Sequence, residues 1–198
     1  MIPSAGEGRH RLGPVAAMSD ISSIFETAKH HFYKSEYSAA IECFETMRQL
    51  AVSSNSLKDE SSALQGLGMT YKEMGNYRDA LGKLGQSLEI QQRIGDIGGE
   101  AASLLSIGNV HVDECQYDLA LQTYSKSKDK FHKISHRVGE CGASHSLGNV
   151  YHIIGQYDRS VELLEESLTI SKQLGNAQLE NASSQVDVFY CSLFVQKI

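Results

Sequence analysis

Two sets of side chains have types and spacings that could do chemistry. Cys141 lies four residues before His145, one helical turn, the separation at which an imidazole could serve as base to a thiol nucleophile. His145 and His152 are seven apart, two turns along one face, and Asp113 stands in an earlier segment of the same kind, so two imidazoles and a carboxylate could be read as cation ligands. Neither set is taken as a site. A Cys–His pair one turn apart arises readily by chance, and the sequence offers neither an orienting acid nor an oxyanion donor beside it. Three mixed ligands from two segments do not define a metal centre, and the histidines read as surface-lining residues. The glycines mark helix contacts and helix ends, not a phosphate-cradling turn from strand to helix. The expectation is therefore no catalytic residue, no metal and no cofactor.

What positions these residues is an internal repeat. Tyr37, Tyr77, Tyr117 and Tyr157 recur every 40 residues, the last three preceded by Asn76, Gln116 or Gln156. Ala40, Ala80, Ala120 and Ser160 follow three residues after each tyrosine, and Phe44, Leu84, Tyr124 and Leu164 seven after it. Leu67-Gly68-Met69-Thr70-Tyr71 returns as Ile107-Gly108-Asn109-Val110-His111 and as Leu147-Gly148-Asn149-Val150-Tyr151, while Glu60, Glu100, Glu140 and Glu180 keep the same register. A fixed period of this size marks a solenoid, whose units bury their apolar faces only against their neighbours.

Within each period the apolar spacing is helical. Ile21, Ile24, Phe25, Ala28 and Phe32 share one helix face, Lys34-Ser35-Glu36 interrupts it, and Tyr37, Ala40, Ile41, Phe44 and Met47 form a second stripe. A three-residue join makes the two helices antiparallel. The same pair is predicted at 57–73 with 77–94, 97–113 with 117–133, and 137–153 with 157–174. Gly95-Asp96 and Gly175-Asn176 fit a left-handed helix stop followed by a cap, and Ser56 fits a cap as well. The glutamate column falls in the first turn of each first helix, where the macrodipole favours a carboxylate by about 0.3–1 kcal/mol.

Gly68, Gly108 and Gly148 lie mid-helix, where glycine costs about 1 kcal/mol relative to alanine. Close approach of a partner helix carrying Ala80, Ala120 or Ser160 would offset that cost, leaving Leu84, Tyr124 and Leu164 to fill the space between successive pairs. The chain divides into a disordered tail over 1–18, a solenoid over 19–183, and an atypical apolar segment over 184–198. Repeats are placed at about 21–54, 57–94, 97–134 and 137–174, with a partial fifth at 177–183. Three readings of the apolar end stay open: a helical cap folded back on the stack, a self-association surface, or the cut end of a longer chain.

Composition narrows the function further. The 198 residues carry a net charge of -6, which gives no reason to expect nucleic acid. Cys43, Cys115, Cys141 and Cys191 show no paired C-x-x-C spacing, and no stretch has the length and apolarity of a membrane span or signal peptide. The expectation is a cytoplasmic protein with reduced thiols.

The small-residue pairs in Leu-Gly-Asn-Val-Tyr and Gln-Tyr-Asp-Arg-Ser-Val resemble the tetratricopeptide (TPR) repeat over about residues 20–183. The 40-residue period, with Gly-Asp or Gly-Asn at the joins, is similar to the Pins/LGN-type adaptor subgroup and less closely to kinesin light chains. The first repeat departs from the pattern, with Ala28 at the glycine position and His31 at the tyrosine position. The resemblance implies an all-α, right-handed superhelix of about four helical hairpins plus a partial fifth, whose concave groove, lined by first helices, binds a protein or peptide partner. It implies that Asn109 and Asn149 are groove amides, a role their chemistry suits because an amide both donates to and accepts from an extended backbone. Gln65, Lys72, Glu73, Leu105, Val112, Asp113, His145 and His152 are the neighbouring groove candidates, and Met69 interrupts the asparagine column. With Lys72 the only cation among them, a mixed polar and apolar segment is the expected ligand, not an acidic C-terminal tail. Gly68, Tyr77, Ala80, Gly108, Tyr117, Ala120, Gly148 and Tyr157 are structural. The function expected is a non-enzymatic scaffold or adaptor. The alternative is a truncated regulatory segment of a larger signalling, ciliary or motor-associated protein.

Gly68→Leu is expected to force the helices of its repeat apart, at about 1–3 kcal/mol or more. Thermal unfolding checks this, and an unchanged melting temperature counts against the packing.

Overall fold

A computed structural model describes residues 14–175, with side chains from Ile21 onward. Eight α-helices follow in order: α1 (Pro14–Tyr33), α2 (Tyr37–Ser53), α3 (Leu57–Glu73), α4 (Tyr77–Ile94), α5 (Ile97–Asp113), α6 (Tyr117–Lys133), α7 (Arg137–Ile153) and α8 (Tyr157–Leu174). No strand occurs among the described residues. The described residues form an all-α solenoid of four helical hairpins. The partial fifth repeat, the segment 184–198 and the self-association reading attached to it lie outside the described residues. At the other end α1 begins at Pro14, inside the stretch expected to be a tail. Proline lacks only an amide that the first helical turn would leave unpaired, so a helix can start on it.

The joins repeat one backbone solution. Residues 35, 55, 75, 95, 115, 135, 155 and 175 all have positive φ, whether they are Gly75, Gly95, Gly155 and Gly175 or Ser35, Asn55, Cys115 and Ser135. The capping residues act as expected at Ser56, whose hydroxyl accepts the Asp59 N–H at 3.5 Å, and at Asp96, whose carboxylate accepts the Gly99 N–H at 2.9 Å. His136 caps α7 in the same way, its Nδ1 accepting the Gly139 N–H at 3.0 Å, a role that its residue type does not advertise.

Each helix packs on the next, and the first helices α1, α3, α5 and α7 also approach one another in succession. Each of the last three hairpins is closed by a large side chain of its second helix lying on a glycine of its first. A methyl group built on Gly68 would stand 2.6 Å from Leu84 Cγ, on Gly108 2.4 Å from Tyr124 Cε1, and on Gly148 2.8 Å from Leu164 Cγ. Leu84 and Tyr124 also fill the space between hairpins, as expected, clustering with Val110 of α5 and with Leu147 and Val150 of α7 while they close their own. Ala80 and Ser160 do bring the second backbone close, their carbonyl oxygens 3.2 and 3.3 Å from the same imagined methyl on Gly68 and Gly148.

A second recurring contact is polar. The buried hydroxyls of Ser87, Ser127 and Ser167 donate to the carbonyls of Ser61, Ala101 and Cys141 at 2.8, 2.8 and 3.1 Å. The glutamate column does more than face a helix dipole. Glu100 and Glu140 are buried, with Lys130 Nζ 2.6 Å from Glu100, and Arg137 Nη1 and His132 Nδ1 at 2.7 and 3.0 Å from Glu140. Burial works against the charged form of Glu140, yet the bonds from His132 and Arg137 outweigh it and hold the carboxyl below its usual range.

Gly82 is an exposed glycine of α4 whose added methyl would meet open space. Gly82→Ala and Gly68→Ala improve intrinsic helix propensity equally, by about 1 kcal/mol. The first is expected to raise the melting temperature by about 2–4 °C. The second is expected to lower it, because Leu84 occupies the space, and paired thermal melts check the opposite signs.

Candidate functional site

The asparagine register falls on the first helices, at Met69 in α3, Asn109 in α5 and Asn149 in α7. Both asparagines are half-buried, as are Gln65, Lys72, Leu105, Val112, His145 and His152, while Glu73 and Asp113 are exposed. None of the candidates is buried.

The polar candidates are held by bonds within the chain. Asn109 Oδ1 accepts the Tyr124 hydroxyl at 2.6 Å. Asn149 Nδ2 lies 3.0 Å from His145 Nε2, one turn back on the same helix. Lys72 is not a lone cation: its Nζ is 3.0 Å from Glu73 Oε1 and 3.3 Å from Asp113 Oδ2, the latter on the neighbouring first helix. Burial acts to lower the Lys72 pKa, but the two carboxylates prevail and raise it above the ordinary lysine value. The structure thus brings Lys72, Glu73 and Asp113 together and leaves that part of the surface without excess positive charge. The remaining candidates have partly structural roles. Leu105 and Val112 pack against the cluster of Ala120, Tyr124, Leu147 and Val150, and the His152 ring meets Tyr157 edge to face at 5.5 Å.

Among the described residues no three His, Cys, Asp or Glu side chains are placed to share a metal ion. Cys141 is buried, and its thiol lies 3.3 Å from the Ser167 carbonyl oxygen across the hairpin. No helix of the described residues is long and apolar enough to cross a membrane.

Two features escaped the sequence. One is the Tyr124 hydroxyl, the only polar member of the column Phe44, Leu84, Tyr124, Leu164. Burial pushes this phenol well above the usual tyrosine range, the Asp113 charge adds to the shift, and a hydrogen bond from Ser146 opposes it. The other is a solvent-open cleft lined by Phe25, Phe32 and Tyr33 of α1, Phe44 of α2, and Gln65 and Met69 of α3. Its origin lies in two departures from the repeat. Ala28 fills the place where later hairpins have glycine, and Phe44 instead lies against Gly66 of the next hairpin, where an added methyl would be 2.4 Å from Phe44 Cε1. Met69 and Gly66 were the available signals.

Comparison with known proteins agrees with this architecture. Models of the tetratricopeptide repeat match residues 61–94 and 99–182. No curated protein matches the chain. Among solved structures, a variant of the nearly identical TPR-like repeats of a kinesin light chain from Podosopora anserina is similar at a TM-score of 0.72 and 19% identity, covering 95% of this chain and 90% of that one. Aspartyl phosphate phosphatase F of Bacillus subtilis gives 0.78 at 11% identity, over 91% of this chain and 50% of its own. A Rap protein complexed with competence and sporulation factor gives 0.79 at 12%, over 91% and 54%. The chain spans about half the length of these last two.

Tyr124→Phe should cost about 0.5–1.5 kcal/mol through loss of the bond to Asn109. Because the folded-state pKa is raised, the unfolded chain releases this proton first, so Tyr124 lowers stability as pH rises past about 10, the ordinary phenol value. Chemical denaturation at pH 8 and pH 11 is expected to show a smaller alkaline loss of stability in Tyr124→Phe than in the wild type.

Proposed function

Because the chain belongs to the tetratricopeptide repeat family, we propose that it is a non-enzymatic interaction scaffold or adaptor that binds an extended partner segment along its first helices. The carrying observation is the pair Asn109 and Asn149, half-exposed at the same register of successive first helices. Main-chain amides of an extended segment need both donors and acceptors, and carboxamides supply both. The aromatic cleft between α1 and α3 lies in the same register, through Gln65 and Met69, and offers an apolar side chain a place to anchor. Charge supports the mixed character of the ligand: with Lys72 held between Glu73 and Asp113, an acidic tail would find no uncompensated cation there.

In this reading the protein is a cytoplasmic adaptor of the 40-residue-period, Pins/LGN-like kind, and nucleic acid is not its ligand, in keeping with the net charge of -6. A regulatory segment of a larger signalling, ciliary or motor-associated protein would use the same surface.

The test compares proteins captured from cell extract by the wild type and by an Asn109→Ala/Asn149→Ala double variant of unchanged melting temperature. Loss of a subset of partners is the expected outcome. Identical partner sets would remove the amides from binding.

A further inference from the structure

We propose that Tyr124 fixes the Asn109 side chain so that its N–H groups face the partner as donors, while Asn149, held in the opposite sense, offers its carbonyl oxygen as acceptor. The inference deepens the binding surface proposed above and rests on it. The ligand it describes is an extended peptide whose main chain brings a C=O to Asn109 and an N–H to Asn149.

The two asparagines occupy equivalent positions in α5 and α7, but their surroundings differ by one residue of the column that closes each hairpin. In the α5–α6 hairpin that residue is Tyr124. Its ring lies across Gly108 and its hydroxyl reaches Asn109 Oδ1 at 2.6 Å. A phenol has one proton to give. An amide oxygen has none to offer, so the phenolic proton is directed to Asn109 Oδ1. The carbonyl end of that amide is engaged, and the N–H groups of a half-exposed side chain are what a ligand meets.

In the α7–α8 hairpin the column residue is Leu164, which has no hydroxyl to give. Asn149 turns instead to His145, its Nδ2 3.0 Å from the ring Nε2. A neutral imidazole nitrogen without a proton accepts from the amide nitrogen, which leaves Asn149 Oδ1 to accept from the ligand. In α3 the equivalent residue is Met69, which has neither function. Along the stack, one position therefore carries an apolar group, a donor and an acceptor in turn. A proline whose nitrogen fell opposite Asn149 would lack the required hydrogen.

Aspartate separates the two senses, because it replaces the amide nitrogen by a second acceptor oxygen while adding the same charge at either site. A phage-displayed library of random linear peptides would be selected on the immobilised full chain. The tightest binder, made synthetically, would then be titrated calorimetrically against the wild type and variants. Asn109→Asp removes the outward donor and is expected to weaken binding about tenfold or more. Asn149→Asp keeps the outward acceptor and can take a hydrogen bond from the other tautomer of His145, so a change within about threefold is expected. Tyr124→Phe should weaken binding to the wild-type background and add nothing further to Asn109→Asp, as a positioning residue would. If Tyr124→Phe does not fold, the aspartate pair decides alone. Equal losses in the two aspartate variants, or a larger loss at Asn149, would overturn the assigned polarity. If Asn109→Ala/Asn149→Ala still weakens the peptide in that case, the binding surface itself stands. A library that yields no binder, or a binder indifferent to the double alanine variant, would overturn both.

Discussion

The structure depends on one steric fit, a bulky side chain lying on a bare backbone. Leu84 over Gly68, Tyr124 over Gly108 and Leu164 over Gly148 bring the two helices of each hairpin to a separation that a single methyl group would disturb. Glycine in a helix interior is unfavourable by itself, and packing of a large side chain at native density outweighs that cost. The remaining contacts follow from the distance so fixed. With the second backbone this close, Ser87, Ser127 and Ser167 can reach the carbonyls of the opposite helix from fully buried positions, and a buried hydroxyl so satisfied escapes the penalty of an unmade bond.

Where the fit changes, so does the surface. Ala28 occupies the first hairpin's place for glycine, Phe44 reaches into the next hairpin at Gly66, and the aromatic side chains of α1 border an open cleft instead of closing over one another. The serine bond is missing there too, since the matching residues are Ile21 and Met47, both buried in the apolar cluster. Variation in the closing side chain also reaches the opposite surface of the first helices. A tyrosine where the hairpins on either side have leucine brings a hydroxyl up beside Asn109.

The helices could be read from the sequence because they rest on local rules. A period of 40, a stripe of apolar residues and a three-residue join determine where each helix starts and stops, and α3 to α8 have the bounds that the pattern predicts. The start of α1 was less legible, since two prolines and several glycines mask its first turn. The site was legible as positions but not as bonds. Asn109 and Asn149 could be placed in equivalent registers, yet nothing in their spacing distinguishes an amide held by Tyr124 from one held by His145. The pairing of Lys72 with Asp113 joins residues from adjacent repeats, and a pattern that treats repeats as copies does not reveal which side chains meet across their boundary. The cleft was hidden for the opposite reason: its residues looked like an ordinary core stripe, and only the displacement of Phe44 leaves part of that stripe open.

The row of positive-φ residues at the joins has a consequence for how such a chain can change its length. Every corner turns the backbone by the same local geometry, within a hairpin and between hairpins alike, whether glycine or another residue stands there. Duplicating or deleting one whole unit would therefore shift the register by a full period and leave each remaining corner as it was. Lengthening the protein in this way resembles adding a link to a chain of identical links, and the curvature met by a bound molecule would stay constant while its footprint grew.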